Sequence, residues 1–168
     1  MRGPSDLHWK YKELTAKLGE EVSEFSVAPS GYHVSNAPNA FALFPKPKLR
    51  MPLYKYIVLA DMPYKPIPDY VVKHILNSVK NGGKLIILGG YFTLQKGGYV
   101  GTEFEPILPV SIKDRWKEVT ALPDAKVFQF NGKDAVIYKP YGKGMVYVLP
   151  GNPVQDTALP DVYNHFTF

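Results

Sequence analysis

The run KLIILGGYFTLQKGGYVGT, Lys84 to Thr102, places five glycines just past an apolar stretch: Gly89, Gly90, Gly97, Gly98 and Gly101, with Tyr91 at the corner between them. In an open α/β sheet the carboxyl ends of the strands are where ligands bind. Glycines there permit close backbone approach, and a loop of them can aim N–H groups at an anion or a carbonyl. Tyr91, Thr102 and Glu103 could add hydrogen bonds to the same ligand. Turns and a tight strand crossing would use the same glycines with no ligand at all.

Asp61 closes the neighbouring apolar stretch YIVLAD, so it is expected at the same edge as Gly90 and close to Tyr91. A carboxylate there can accept a proton, bind a sugar hydroxyl, or cap the backbone of the DMPYKP turn, the last being ordinary for Asp ahead of a proline-containing turn. Asp61 and Tyr91 are thus the catalytic candidates. Gly89, Gly90, Tyr91, Gly97, Gly98, Gly101, Thr102 and Glu103 are the ligand-binding candidates.

Other chemistries lack their residues. The glycine loop ends in neither Gly-Lys-Ser nor Gly-Lys-Thr, and no GxGxxG opens a helix. No cysteine is present, which removes disulfides, thiolate metal sites and thiol nucleophiles. His8, His33, His74 and His165 show no i, i+4 pairing and no H-E-x-x-H, so neither a metal site nor a cofactor is expected. Ser30 and His33 could join an Asp in a hydrolytic triad, but APSGYH has no G-x-S-x-G elbow.

The elements that must carry these residues follow from spacing. Leu7, Tyr11, Leu14 and Leu18 recur at helical intervals behind Ser5 and Asp6 and stop at Gly19. EVSEFSV alternates as a strand would. Residues 28–52 are rich in Pro, Asn, Ser and Gly around Phe41, Leu43 and Phe44, and are expected to form a long loop or lid, or to hold a short element. Tyr56 to Ala60 is a continuous apolar strand, as in a parallel sheet buried on both faces. Pro68, Asp69 and the stripe Val72, Ile75, Leu76, Val79 predict a helix stopped by NGG at 81–83. With KLIIL this makes a strand-helix-strand unit. ILPVSI, KVFQF, DAVIYKP and GMVYVLP are shorter β pieces, the last two forming a hairpin around Gly142 to Gly144. The expected architecture is one α/β domain over 1–168 with antiparallel strands toward its end. The opening on a helix, where such a domain normally has a strand, fits either a start further upstream or a C-terminal strand in that slot, and DVYNHFTF reads as a helix cut short.

At 168 residues the chain can bury a core without staples. Its net charge of +5 comes from scattered lysines; Lys46, Lys48 and Arg50 are the one local cluster, so a nucleic-acid footprint is not expected. No apolar run approaches the roughly 20 residues that cross a bilayer, and the start lacks an apolar signal core. A cytoplasmic location is the default expectation.

YIVLADMP, then VKNGGKLIILGGYFTLQKGGYVGTEFEPILPVSI, then YGKGMVYVLP, in that order, resemble an uncharacterised, cysteine-less branch of the class I glutamine amidotransferase-like superfamily. The likeness covers residues 54 to 112 well and 135 to 150 more loosely. It implies a flavodoxin-like, doubly wound, mainly parallel sheet between helices. In active members the strand matching Lys84 to Leu88 runs into an elbow bearing a cysteine nucleophile, assisted by a His and a Glu two residues apart near the C-terminus. Here the elbow falls at about Tyr91, and His165 is followed two residues on by Thr167. Thioester chemistry on glutamine is therefore not expected, and a phenol with a reference pKa of about 10 is a poor nucleophile at neutral pH.

The resulting expectation is a pseudoenzyme: a non-catalytic domain that binds a small polar ligand or acts as a scaffold for other domains or subunits. The alternative is a hydrolase or carbohydrate-modifying enzyme using Asp61 with Tyr91, Thr102 or Glu103. A sheet short of a strand also leaves an edge that a second copy could pair with, making a homo-oligomer.

Overall fold

The structure, a computed structural model, describes residues 11–19, 26–28, 31–33, 54–90, 93–94, 96–112, 119–150 and 159–168. In chain order the elements are α1 (Tyr11–Leu18), β1 (Ser26–Ala28), β2 (Gly31–His33), β3 (Tyr56–Ala60), α2 (Asp69–Lys80), β4 (Lys84–Leu88), β5 (Val110–Ile112), β6 (Val119–Ala121), β7 (Lys126–Phe130), β8 (Lys133–Tyr141), β9 (Gly144–Leu149) and α3 (Leu159–His165).

The chain has a mixed α/β fold. Its main sheet is five-stranded in the order β3-β4-β9-β8-β7. β3, β4 and β9 run parallel, with Ala60, Leu88 and Leu149 in one row at their carboxyl ends. β8 and β7 are antiparallel additions beyond β9. The strand that lies next to β4 on its far side therefore comes last of the five along the sequence, after the β5–β6 and β7–β8 hairpins. Nothing in the local pattern of GMVYVL specifies that neighbour; non-local pairing does.

The strands are apolar on both sides because both sides are covered. Ile57, Leu59, Leu85, Ile87, Val146 and Val148 pack with Val71, Val72, Ile75 and Val79 of α2. Ala60, Ile86, Leu88, Tyr147 and Leu149 pack with Leu14 of α1 and with Val162, Tyr163, Phe166 and Phe168 in and after α3. α2 starts after Pro68, whose extended ψ of 145° makes it the cap, with Asp69 against the positive end of the helix dipole. Val72, Ile75 and Val79 are buried and Leu76 is half-buried, as the spacing implies.

The end of α2 is closed by a neighbour. The hairpin turn between β8 and β9 lies on it: Lys143 N–H donates to Lys80 O at 3.0 Å, and Met145 N–H to Gly83 O at 3.2 Å. A Cβ on Gly144 would lie 2.1 Å from Gly83 O and 2.2 Å from Val79 O, so only glycine fits. The β7–β8 turn carries positive φ at both Asn131 (51°) and Gly132 (73°), the conformation that matches strand twist in a two-residue hairpin.

Three expectations are refined. The alternating strand at 22–27 is described only as Ser26–Ala28, which pairs antiparallel with Gly31–His33. The segment 28–52 thus carries a strand near its start and is not a loop throughout; its residues 34 to 52, with Lys46, Lys48 and Arg50, lie outside the described residues, as do Ser30 and His8. DVYNHFTF is a short helix whose tail is anchored, with Phe166 and Phe168 buried and Lys84 Nζ donating to the Phe168 main-chain oxygen at 2.7 Å.

Candidate functional site

The carboxyl ends of β3 and β4 bring Asp61 and Gly90 into direct contact. Asp61 continues the ladder, its N–H donating to Leu88 O at 3.0 Å, and then turns sharply with φ 45°. Its side chain is completely buried. Oδ1 accepts from the Thr93 hydroxyl at 3.4 Å, and the same hydroxyl lies 3.3 Å from Leu88 O. Gly90 sits over this carboxylate: a Cβ there would lie 2.4 Å from Oδ1. Gly89 extends the β4–β9 ladder by donating to Leu149 O at 2.8 Å. These two glycines are required by close packing. Tyr91 lies outside the described residues.

The glycine loop is filled from within. Tyr99 and Phe104 are fully buried and stacked, ring centroids 5.9 Å apart. The Tyr99 hydroxyl donates to Met62 O at 2.7 Å, joining this loop to the one after β3. Burial first, and the charge of Asp61 second, push the Tyr99 phenol far up. The loop's own N–H groups turn inward: Gly97 N–H points at Thr93 O at 3.4 Å, Tyr99 N–H donates to Leu94 O at 3.0 Å, and Gly101 N–H donates to Glu105 Oε2 at 2.5 Å. Gly98 and Gly101 occupy left-handed backbone, φ 73° and 74°, which explains their identity without a ligand.

Thr102 and Glu103 are engaged elsewhere than Asp61. The Thr102 hydroxyl donates to Tyr99 O at 2.7 Å. Exposed Glu103 accepts a hydrogen bond from the Tyr64 hydroxyl. Desolvation, that hydrogen bond and the charges of Glu103 and Asp69 raise the Tyr64 phenol to about 12. The Tyr64 hydrogen bond in turn holds the Glu103 carboxyl below its usual value. Asp61, Thr102 and Glu103 thus share one end of the sheet without converging on one point.

The two histidines with described side chains, His74 and His165, stand apart. His165 is exposed on α3, its Nδ1 2.7 Å from Asp161 O, and its ring lies 5.4 Å from Phe130 of β7, the strand at the opposite side of the sheet from β3. His74 lies within α2, its Nε2 3.4 Å from Ser78 Oγ. Among the described residues no group of three or more His, Asp or Glu is placed to hold a metal ion, and no helix is long and apolar enough to cross a membrane.

Sequence reasoning passed over Tyr64, Thr93, Tyr99 and Phe104, which do most to shape this edge. The available signal was the interleaving of aromatics with glycines in KGGYVGTEF. Aromatics at that density inside a loop must be buried by something, and here Tyr99 and Phe104 join the core that the sheet shares with α2.

These features define an α/β protein whose strand-end loops close on each other. Among solved structures it is similar to the cytoplasmic protein STM3548 from Salmonella typhimurium, with TM-score 0.56 and 18% identity over 66% of this chain and 69% of that one. It is also similar to the cytoplasmic protein STM1381 from Salmonella typhimurium LT2, with TM-score 0.52 and 18% identity over 68% of this chain and 70% of that one. At such identity the likeness is one of fold. No protein-family model and no curated protein matches the sequence.

Proposed function

We propose that this chain is a non-catalytic, glutamine amidotransferase-like domain of flavodoxin-like type that acts in the cytoplasm by recognition, as a scaffold for other domains or subunits. The observation that carries this reading is the complete burial of Asp61 beneath Gly90 and Thr93. A general base or nucleophile must reach substrate, and this carboxylate is enclosed against Gly90 and Thr93. The missing cysteine supports the same reading, since no thiolate is available at the elbow. The parallel strands β3, β4 and β9 with helices on both faces suit a flavodoxin-like arrangement. Both structural neighbours are described as cytoplasmic proteins.

The glycine loop suits an interaction surface better than a cradle. Its N–H groups at Gly97, Tyr99 and Gly101 are engaged within the protein, while Val100 projects outward at 50% exposure.

Purified protein incubated with L-glutamine is expected to release no ammonia. In a thermal-shift screen of sugars, nucleotides, amino acids and carboxylates, a ligand at 100 times its Kd would add about 2.7 kcal/mol; the scaffold reading expects no such shift. Turnover of glutamine or of a glycoside, abolished by Asp61→Asn, would overturn the proposal.

A further inference from the structure

Lysines that are scattered along the chain meet at one end of the main sheet. Each strand brings one to the rim where β3, β4 and β9 begin: Lys55 just ahead of β3, Lys84 opening β4, Lys143 just ahead of β9, Lys139 near the end of antiparallel β8, and Lys126 opening β7. Register sets Tyr56, Lys84, Met145 and Pro140 side by side there. α2 ends at the same rim, since Lys143 N–H donates to Lys80 O at 3.0 Å. In the stretches that form this rim, 54–56, 80–84, 124–126 and 138–145, Asp124 is the only acid, and it is paired with Lys139 at 3.7 Å. The opposite rim carries both signs, Asp69, Glu103 and Asp134 with Lys65, Lys96 and Lys133.

We propose that this rim, with Lys55, Lys126 and Lys143 exposed on it, is a docking surface for an acidic segment of a partner protein. Adjacent strands are about 4.8 Å apart, inside the Debye length of about 8 Å at physiological salt, so the potentials of these lysines add. The negative end of the α2 dipole favours Lys80 and Lys143, but that effect fades beyond the last turn and does not reach Lys126 on the far strand. Ring faces at the rim are engaged within the protein: the Lys55 and Lys84 ammoniums each lie 5.3 Å from the Tyr56 centroid, and Tyr138 stacks on Tyr147 at 5.6 Å. Single-stranded nucleic acid binds by stacking its bases on open ring faces, whereas this rim offers ammoniums. Each is a point charge without the bidentate fork of arginine, which suits carboxylates spaced along a flexible acidic segment. A second copy is disfavoured as the occupant, because the chain itself carries +5. The inference gives the recognition reading a surface and a partner, and rests on it only in taking the domain to act by binding protein.

The experiment titrates a fluorescein-labelled oligoglutamate peptide with the full chain and follows fluorescence anisotropy at low and at physiological salt. The native protein is compared with the triple variant Lys55→Gln, Lys126→Gln, Lys143→Gln and with Lys65→Gln, Lys96→Gln, Lys133→Gln, which removes the same charge from exposed positions at the opposite rim. The first triple is expected to bind about tenfold more weakly, the combined effect of three exposed ion pairs. The second is expected to stay within about twofold of native, because charges that far away are screened. Peptide-induced shifts of amide resonances in the native protein, a measurement that needs no variant to fold, are expected at Lys84, Lys126 and Lys143. Four results would each overturn the surface: no binding by the native protein, equal weakening in both triples, shifts centred on the opposite rim, or tighter binding to an oligothymidylate or to phosphatidylserine vesicles of matched charge. Ammonia released from glutamine would overturn the recognition reading alone.

Discussion

Gly90 lies so close to Asp61 that a Cβ built on it would sit 2.4 Å from the carboxylate oxygen Oδ1. The pair fixes how the chain leaves β4, since Asp61 is itself held by its N–H to Leu88 O. Gly90→Ala is expected to cost about 1 to 3 kcal/mol, the usual range for overpacking a tight site. Combined with Asp61→Ala the loss should fall short of the sum, because Oδ1 and Cγ, the two atoms nearest the new Cβ, are gone and only the Asp61 Cβ at 2.9 Å remains close. Urea denaturation of the two single variants and the double variant checks this; strict additivity would show that the contact does not govern the corner.

Tyr99→Phe keeps the stack with Phe104 and removes only the hydroxyl that donates to Met62 O. A buried carbonyl then loses its donor, at a cost of about 1 to 3 kcal/mol. The midpoint of chemical denaturation measures it. A change below about 0.5 kcal/mol, the level of an inconsequential surface substitution, would mean that water reaches the site.

At the other end of the sheet, Gly144→Ala is expected to be among the worst single substitutions. Its Cβ would meet Val79 O and Gly83 O, both rigid main chain at the end of α2, at 2.2 and 2.1 Å. Relief requires the β8–β9 turn to leave the helix, breaking the hydrogen bonds from Lys143 and Met145. A loss of about 3 kcal/mol or more is expected, read as a large drop in Tm or failure to recover folded protein.

The Tyr64–Glu103 pair gives stability a dependence on pH at both extremes. The Tyr64 phenol is raised to about 12 when folded, so its contribution is complete below the ordinary tyrosine value of about 10 and is lost as pH rises through about 12. The Glu103 carboxyl is lowered when folded, so its contribution is present above the ordinary glutamate value and disappears as pH falls through the lowered one. Tyr64→Phe should flatten both limbs, and Glu103→Gln the acid limb. Tm measured across pH tests the assignment; identical profiles for native protein and Tyr64→Phe would contradict it.

Much of the framework was legible from neighbouring residues alone. The stripe Val72, Ile75, Val79 announced α2, and the unbroken apolar runs at Tyr56–Ala60 and Lys84–Leu88 announced strands covered on both faces. The glycine turn at Gly142 to Gly144 marked the β8–β9 hairpin. The candidate site was legible only as a list of residue types. That Asp61 faces inward, that Tyr64 reaches Glu103 across 39 residues, and that Thr93 bridges to Asp61 are facts about segments distant in sequence.

The sequence by itself determined the local elements, through apolar periodicity and turn chemistry, and it ruled out thiolate chemistry by containing no cysteine. Only the tertiary structure decided what the glycines and polar residues at the strand ends are for. A glycine beside a carboxylate reads the same whether it admits a ligand or a neighbouring side chain. The difference lies in which atoms occupy the space, and here Asp61, Tyr99 and Phe104 fill it from elsewhere in the chain.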